Sequence, residues 1–256
     1  LSATNAAIMR MRDRDSLFRA ICRIAVSDGG LGSAWIRMHD AATRELAVVA
    51  YAGVSRNYLS DLRVSSDPAV PEGRGLASRA FRENRVMISN DLVNDPELAR
   101  WHQRARDSGF RALASLPFSC NGEVVGVLGL QATEPDFFDD EVVSLMQKMA
   151  GDISFALSNL DLQEQHQATL RALQESDAQF RELAQHVPQI FWITDAEQRR
   201  TLYASPNYQS VTGRTLEELA KNPKAWLAAV HEDDRQRVQH ARRQKAPLGS
   251  YDMEYR

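Results

Sequence analysis

The chain has 256 residues, 43% of them hydrophobic, which is enough for one large domain or two ordinary ones with real cores. Its formal net charge of -3 argues against a protein built mainly to hold nucleic acid or an anionic membrane, because the long-range field would repel phosphate. The two cysteines, Cys22 and Cys120, lack metal-site spacing and no apolar run reaches about 18 residues, so we expect a cytoplasmic chain without a membrane anchor within it.

The first half alternates helix-like and strand-like runs. An amphipathic helix is predicted over residues 5–26, and Gly29 and Gly30 end it. Two β-rich runs, 33–39 and 46–52, flank a polar turn and predict a hairpin. A loop rich in proline and glycine then precedes three short predicted elements, which are a helix at 76–83, a strand at 86–89 and a helix at 97–107.

The strongest local signal in this half is Asn121-Gly122, between the apolar runs 114–119 and 123–131. Asn-Gly tolerates the positive φ angles of a type I′ turn, so the two runs are predicted to form a hairpin. Gly126 and Gly129 leave room beside the second strand, either for a packed helix or for a ligand. The order of elements predicts an α+β domain with an antiparallel sheet.

This half resembles a GAF domain, the small-molecule-binding sensor module of signalling proteins. The resemblance covers residues 1–160. It rests on the opening Leu1-Ser-Ala-Thr-Asn helix, Glu72-Gly-Arg-Gly75 before a helix, Ile88-Ser-Asn-Asp91, Ala114-Ser-Leu-Pro-Phe118, Gly126-Val-Leu-Gly-Leu130, and Phe138 followed by acidic residues. It is closest to GAF domains that precede PAS, diguanylate cyclase and histidine kinase modules in bacteria.

A GAF-like fold implies a pocket. The candidate lining residues are Trp35, Tyr51, Arg74, Asp91 and Trp101. Arg74, with the glycines on either side of it, could present an anion site before a helix, although a plain loop-helix junction is the favoured explanation. The aromatic residues could likewise be ordinary core.

A long helix is predicted from Asp139 to about Val187. Its apolar stripe runs through Met146, Met149, Ile153, Ala156 and Leu160. A heptad seam then continues through Leu162, His166, Thr169, Leu173, Ser176, Phe180, Leu183 and Val187. Polar seam positions fix register at a cost in stability, or leave two registers close in energy. The helix is therefore either a parallel dimeric connector or a domain helix that trails into a solvated linker.

The second half has turn signals of its own. The runs 191–194 and 201–204 predict a hairpin, and Ser205-Pro206 begins a helix that Gly213 ends. Thr215 and Glu218 form a capping box that begins the next helix. A further helix at 233–243 and a strand at 250–255 are predicted.

These features resemble a PAS domain. The matching runs are Phe180-Arg-Glu-Leu183, Phe191-Trp-Ile-Thr-Asp195, Tyr203-Ala-Ser-Pro-Asn-Tyr208, Val211-Thr-Gly213, Trp226, His231-Glu-Asp-Asp-Arg235 and Tyr251-Asp-Met-Glu-Tyr255. The resemblance implies a five-stranded antiparallel sheet, of which three strands are readable before Arg256, and a pocket lined by Trp192, Tyr208 and Trp226. The incomplete sheet would expose an edge.

No catalytic or metal-binding set is predicted, and no cofactor can be named. The six histidines lack ligand spacing. His231-Glu232 is similar to a phosphoacceptor box but is expected to form a turn, and His240 stands where haem-binding PAS domains can place an iron ligand. Asn84-Arg85, Phe137 and Asp140-Glu141 only approximate a cyclic-nucleotide signature, and neither cysteine suits bilin attachment.

The sequence therefore predicts two small antiparallel-sheet sensor domains, at 1–160 and 181–256, joined by a connector helix at 161–180. Because Leu1 is not an initiator methionine and Arg256 ends a strand-like run, we expect both ends to lie inside a longer signalling protein. Its output would be cyclic-di-GMP turnover, with histidine kinase next. We expect a homodimer through the connector, an unidentified small-molecule ligand and no nucleic-acid partner. The alternatives are a dimerisation scaffold and a methionine sulfoxide reductase, and the latter would need clustered cysteines.

Overall fold

The computed structural model describes residues 13–54, 59, 62–187, 189–195, 200–222, 224–245 and 253–256. The chain divides into two compact units, Leu1–Gln167 and Ala168–Arg256. The division falls within one long helix.

The first unit is an α+β domain whose elements follow the predicted order. Its helices are α1 (Arg14–Ser27), α2 (Leu76–Glu83) and α3 (His102–Ser108), with 3-10 turns at Pro71–Gly73 and Pro96–Trp101. Its strands are β1 (Ser33–Asp40), β2 (Glu45–Ala52), β3 (Met87–Ser89), β4 (Ala112–Cys120) and β5 (Glu123–Ala132). The long helix α4 spans Asp140–His186.

The five strands form one antiparallel sheet in the order β2-β1-β5-β4-β3. The turn between β4 and β5 has Asn121 at φ 52° and Gly122 at φ 86°, which are the positive angles of the predicted type I′ turn. The hairpin prediction is thus confirmed.

The sheet separates two apolar clusters because successive side chains of a strand point to opposite faces. On one face, Ile36 and Leu128 pack with Ile21 of α1 and Ile153 of α4. On the other face, Trp35 and Val127 pack with residues of α2, α3 and the loops around them. The first face is covered by α1 and α4, and the second contains the cavity described below.

Three predicted elements of this unit differ from the structure. The first helix begins at Arg14, where the Asp13 side chain accepts from the Ser16 N–H, and residues 5–12 of the predicted helix lie outside the described part. The helix predicted over 97–107 is divided, because Leu98 has φ -110° and ψ 20° and interrupts the helical backbone. The strand predicted at 86–89 begins at Met87.

The amino-terminal half of α4 is attached to the β4–β5 hairpin by three residues on one face, Ser154, Ser158 and Asp161, which we call the polar ladder. The Ser119 N–H donates to Ser154 Oγ and the Asn121 N–H to Ser158 Oγ, both at 2.9 Å. Asn121 Nδ2 donates to Asp161 Oδ2 at 2.8 Å. The polar ladder thus joins the hairpin of the central strands directly to the long helix.

The second unit contains the end of α4, the hairpin of β6 (Trp192–Thr194) and β7 (Thr201–Ala204), and three further helices. These helices are α5 (Asn207–Thr212), α6 (Leu216–Lys221) and α7 (Glu232–Lys245), with a 3-10 turn at Ala225–Ala229. As predicted, Gly213 ends α5 with φ 69°, and Thr215 Oγ1 accepts from the Glu218 N–H at 3.2 Å.

The strand predicted at 250–255 is not confirmed. Residues 250–252 lie outside the described part, and residues 253–256 have no regular secondary structure. This last segment is held by Asp234, because the backbone N–H and Nε of Arg256 donate to Asp234 Oδ2 at 3.0 and 3.1 Å. A charged contact with α7, rather than a strand pairing, therefore places these residues.

Candidate ligand-binding cavity

A cavity of about 90 Å³ lies in the first unit, between the sheet and the layer of α2, α3 and their loops. Apolar side chains form much of its wall, among them Leu76, Leu92 and Leu98. Pockets that enclose drug-sized ligands measure about 300–1,000 Å³, and one water occupies about 30 Å³ of liquid. This cavity is therefore large enough for more than one water and smaller than the pockets that enclose drug-sized ligands.

Two tryptophans of the wall pack directly against glycines. A Cβ at Gly129 would lie 2.0–2.4 Å from atoms of the Trp35 indole, and one at Gly75 would lie 3.3 Å from Trp101 Cζ2. The room beside β5 at Gly129 is thus taken by an aromatic ring, rather than by the helix or ligand that the sequence suggested. At Gly126 a Cβ would meet Phe118 in the same way.

Arg37 is the least expected residue of the wall, because it is only 2% exposed. Its Nη1 donates to Leu46 O at 2.8 Å, and its Nη2 donates to Leu59 O at 3.2 Å and Leu62 O at 2.9 Å. Its guanidinium also lies 5.5 Å from the Trp35 ring centroid, within the range of a cation–π contact. Arg37 thereby ties the segment after β2 to the sheet, beside the cavity.

The pKa of Arg37 is lowered to about 10, mainly by burial, with attraction to Glu45 opposing the change and repulsion from Arg104 adding a smaller decrease. The guanidinium stays charged at neutral pH because even this lowered pKa lies well above 7. Arg37 Nε is buried and makes no hydrogen bond to any described residue. Arg37 is therefore a permanent positive charge beside the cavity, and its Nε–H has no hydrogen-bond partner among the described residues.

The other polar side chains of the wall are Arg63, Glu72, Arg104 and Gln131. Glu72 is the one acid among the described lining residues, and its Oε1 accepts from Arg100 Nη2 at 3.0 Å. Gln131 Oε1 accepts from the Ser33 hydroxyl at 2.7 Å, which leaves its NH2 as the end that can serve a ligand. Arginines and an amide donor thus outnumber the acceptors.

Of the five residues predicted for this pocket, Trp35 and Trp101 line the cavity. Tyr51 lies instead on an adjoining groove along β2, with Ala47 and Val49. Arg74 is exposed and turned toward its own loop, where its Nε and Nη2 lie 3.5 and 3.4 Å from Pro68 O and Ala69 O. Asp91 pairs with Arg111 at 3.3 Å and accepts from Asn94 Nδ2 at 2.6 Å. These three residues do not line the cavity.

Arg37, Arg104 and Gln131 were missed by the sequence reasoning. A signal for Arg37 exists, because it stands two residues after Trp35 on the same strand and so shares its face. Gln131 is likewise two residues after Gly129. An arginine on the face of a buried tryptophan is a stronger pointer to the site than the exposed Arg74.

In the second unit, the three residues predicted for a pocket form a core. Tyr208 and Trp226 are buried with Leu219, Val230 and Val238, and Trp192 packs against this cluster. The rings of Trp192 and Trp226 have centroids 5.8 Å apart, a common distance for an aromatic pair in a core. Their placement supports the interpretation that these aromatic residues are part of the core rather than the lining of a ligand pocket.

The remaining candidate groups do not converge on either site. Among the described residues no group of three or more histidine, cysteine or acidic side chains could hold a metal ion. His231 Nδ1 accepts from the Asp233 N–H at 3.4 Å, as expected for a turn, and His240 is exposed on α7. Cys22 and Cys120 both belong to the helix-covered face of the sheet, opposite the cavity.

Within the described residues, no helix combines the length and the apolarity needed to cross a bilayer.

Comparison with known proteins agrees with this architecture. The GAF domain profile matches residues 11–158, and the PAS fold profile matches residues 201–256. The Sinorhizobium fredii protein y4lL is 41% identical over 86 residues, which cover 33% of this chain and 10% of that protein. The matched segment therefore spans about a tenth of the length of this curated relative.

Three solved structures share the fold of the first unit. Free methionine-R-sulfoxide reductase from Neisseria meningitidis has 15% identity and a TM-score of 0.53, over 64% of this chain and 88% of that one. A GAF domain of a Coxiella burnetii phosphoenolpyruvate-protein phosphotransferase has 13% identity and a TM-score of 0.53, over 64% and 93%. Residues 122–287 of a methyl-accepting chemotaxis protein have 19% identity and a TM-score of 0.50, over 62% and 97%.

The antiparallel sheet, the cavity beside it and the profile match define a sensor domain of the kind found in signalling proteins. The chain belongs to the GAF domain family, with a PAS-fold segment after the long helix.

Proposed function

We propose that this chain is the cytoplasmic sensory segment of a bacterial signal-transduction protein. A small molecule or a partner biases the GAF domain between two packings, and α4 passes the change to a downstream output domain. The observation that carries this proposal is the polar ladder. Strands β4 and β5 contribute Leu113 and Gln131 to the cavity wall, and their hairpin is hydrogen-bonded to α4 at Ser154 and Ser158.

The output favoured by the family resemblance is cyclic-di-GMP synthesis or breakdown, with histidine kinase as the second choice. In either case this chain would be the sensory part of the protein, and the catalytic groups would belong to a separate output domain.

A parallel homodimer through α4 completes the proposal. The seam side chains Leu162 and Leu173 are 64% and 65% exposed, and Phe155, one heptad before Leu162, is 59% exposed. Apolar residues at this spacing, once paired with a second copy, would be buried in a coiled coil. Phe180 is an exception on this seam, because its ring packs 5.1 Å from Tyr203 and 6.3 Å from Phe191 within the second unit.

Site-directed crosslinking tests the dimer. Leu173→Cys places a thiol on the seam, and Arg171→Cys places one on a different face of the same exposed turn. The background needs only Cys120→Ser, since Cys22 is buried and burial raises the pKa of its thiol to about 12, which keeps it unreactive. We expect intersubunit disulfides from the seam position and few from the control. Equal yields, or none at either position, would contradict a dimeric connector.

The alternative function is a dimerisation scaffold whose GAF interior is filled by its own side chains. The small cavity and the three carbonyl contacts of Arg37 favour it. A scaffold would give the same crosslinks, but no small molecule would bind in the cavity. A methionine sulfoxide reductase receives no support from Cys22 and Cys120, because both lie on the far side of the sheet from the cavity.

A further inference from the structure

The heptad seam of α4 is exposed at one point and covered at another. Leu173 is 65% exposed. Phe180 follows one heptad later and so lies on the same face of the helix, but its ring centroid is 5.1 Å from that of Tyr203 and 6.3 Å from that of Phe191. One turn further, Ala184 is only 2% exposed. The seam face is therefore open to solvent at Leu173 and covered within the second unit at Phe180.

The hairpin of β6 and β7 holds the two rings that cover Phe180. Phe191 precedes β6, Tyr203 lies on β7, and their ring centroids are 5.9 Å apart. The Ser205 N–H donates to Phe191 O at 2.8 Å, and the Phe191 N–H donates to Ser205 Oγ at 3.2 Å. Because these bonds fix Phe191 at the end of the hairpin, Phe191 and Tyr203 form one aromatic surface against α4.

A second copy of the chain would need the same face of α4. In a parallel coiled coil each seam residue inserts between four residues of the facing helix, so no other segment can lie between the two helices at that level. Phe180 therefore cannot pack on Tyr203 and Phe191 and pair with a second α4 at the same time. With the hairpin in place, pairing has to end near Ser176, although the heptad pattern continues to Leu183.

The contact with the hairpin leaves apolar surface that pairing would bury. Phe180 is still 41% exposed, and Leu183, one seam step later, is 69% exposed. Burying both would be favourable, but the contacts with the two hairpin rings would be lost. Ser176, the seam residue just before Phe180, is polar and weakens pairing at that step. The hairpin thus competes with the second copy at a weak point of the seam.

We propose that Phe180 is a switch between two partners. In one state it packs on Tyr203 and Phe191, and two copies of α4 pair only as far as Ser176. In the other state it joins the seam with the second copy, pairing extends through Leu183, and the hairpin of β6 and β7 is released from α4. The switch rests on the proposed dimer and adds to it a way for helix pairing to act on the PAS-fold segment.

Thiols placed on either side of Phe180 test the switch by crosslinking. In the full chain carrying Cys120→Ser, Leu173→Cys reports pairing before Phe180, and Leu183→Cys reports pairing beyond it. We expect intersubunit disulfides from Leu173→Cys and a lower yield from Leu183→Cys, because the hairpin holds the helices apart at the later position.

Two variants are expected to release the hairpin. Tyr203→Ala removes one of its rings, and Phe180→Leu keeps an apolar seam side chain without a ring. Each should raise the Leu183→Cys yield about two- to tenfold, the range that corresponds to the loss of one aromatic pair, and should leave the Leu173→Cys yield unchanged.

Leu202→Ala is the matched control. Leu202 precedes Tyr203 on β7, points to the other face of the hairpin and is 59% exposed, so its truncation should not change either yield. The melting temperature of each variant shows whether it is folded. Should Tyr203→Ala not fold, Phe180→Leu decides the matter, since its side chain is partly exposed and the change keeps it apolar.

The outcomes separate the switch from the dimer. Crosslinks at neither position in any variant would overturn both. Equal yields from Leu173→Cys and Leu183→Cys in the otherwise unmodified chain would overturn the switch and leave the dimer standing. A Leu183→Cys yield that neither Tyr203→Ala nor Phe180→Leu raises would have the same meaning. An equal rise with Leu202→Ala would also overturn the switch, since any loosening of the hairpin would then suffice.

Discussion

Gly129 is the residue on which the shape of the cavity depends most directly. Its missing side chain is the space that the Trp35 indole occupies, with ring atoms 2.0–2.4 Å from an ideal Cβ. Trp35 in turn supports the Arg37 guanidinium at 5.5 Å. One hydrogen in place of a methyl group thus sets the positions of an aromatic wall and a buried charge.

Gly129→Ala is therefore expected to destabilise the first unit by about 1–3 kcal/mol, because a buried indole must shift to admit the new methyl group. Gly151→Ala is the control, since no heavy atom outside its own helix backbone lies within 4 Å of the new Cβ, and alanine is favoured over glycine within a helix by about 0.5–1 kcal/mol. Urea denaturation of both variants measures the difference. A Gly129→Ala protein as stable as the unmodified chain would show that the indole is free to move.

The helix α4 presents two apolar faces with different roles. Ile153 is 0% exposed beneath the sheet, whereas Phe155, two residues later, is 59% exposed. Residues two apart on a helix point to different sides, so packing within the domain and the proposed pairing between chains can be altered separately.

Ile153→Ala is expected to cost about 2–5 kcal/mol of unfolding free energy, as for other buried large-to-small changes. Phe155→Ala should change the stability of the first unit by no more than about 0.5 kcal/mol but should weaken dimerisation. Urea denaturation at low protein concentration and sedimentation equilibrium measure the two effects. A Phe155→Ala chain that dimerises as strongly as the unmodified one would remove that position from the proposed seam.

Elements with local causes were predictable from the sequence. Asn121-Gly122, Gly213 and Thr215 act through their own φ angles or a donor three residues away, so short-range chemistry suffices. Arg37 acts through carbonyls 22 and 25 residues away, and its role requires knowledge of how the segment after β2 returns to the sheet. Of the residues that the sequence suggested for the pocket, only Trp35 and Trp101 lie in the cavity wall, and the buried arginine beside them was missed.

At the scale of the whole molecule, the two units respond to acid through different carboxylates. In the first, hydrogen bonds from donors within three residues lower the pKa of Asp13, Asp40, Asp67 and Asp91. In the described part of the second unit, hydrogen bonds from Arg256 hold the pKa of Asp234 far below its ordinary value. The second unit thus concentrates this pH dependence in one long-range contact.

A carboxylate whose pKa is lowered by folding stabilises the protein above its unfolded pKa, about 3.9, and this contribution is lost as the pH falls toward the folded value. We therefore expect the melting temperature of the second unit to begin to fall near pH 5 and to continue falling as the pH drops below 3. Asp234→Asn should lower it at pH 7 and flatten this acid dependence. Asp233→Asn, which changes the more exposed neighbour 3.4 Å from Arg256, should leave the dependence steep. Identical pH profiles for the three proteins would assign the acid sensitivity to other groups.

The polar ladder has a geometric consequence for how such a chain can vary in length. The hairpin is hydrogen-bonded to Ser154, Ser158 and Asp161, so it fixes the rotation of α4 about its own axis. Each residue inserted after Asp161 would rotate the following side chains by about 100° around that axis. A single insertion would aim the exposed leucines in a new direction, whereas seven residues restore nearly the original phase. Viable relatives should therefore differ in this stretch by about seven, eleven or eighteen residues, because insertions of these lengths return the helix to within about 20° of its original direction.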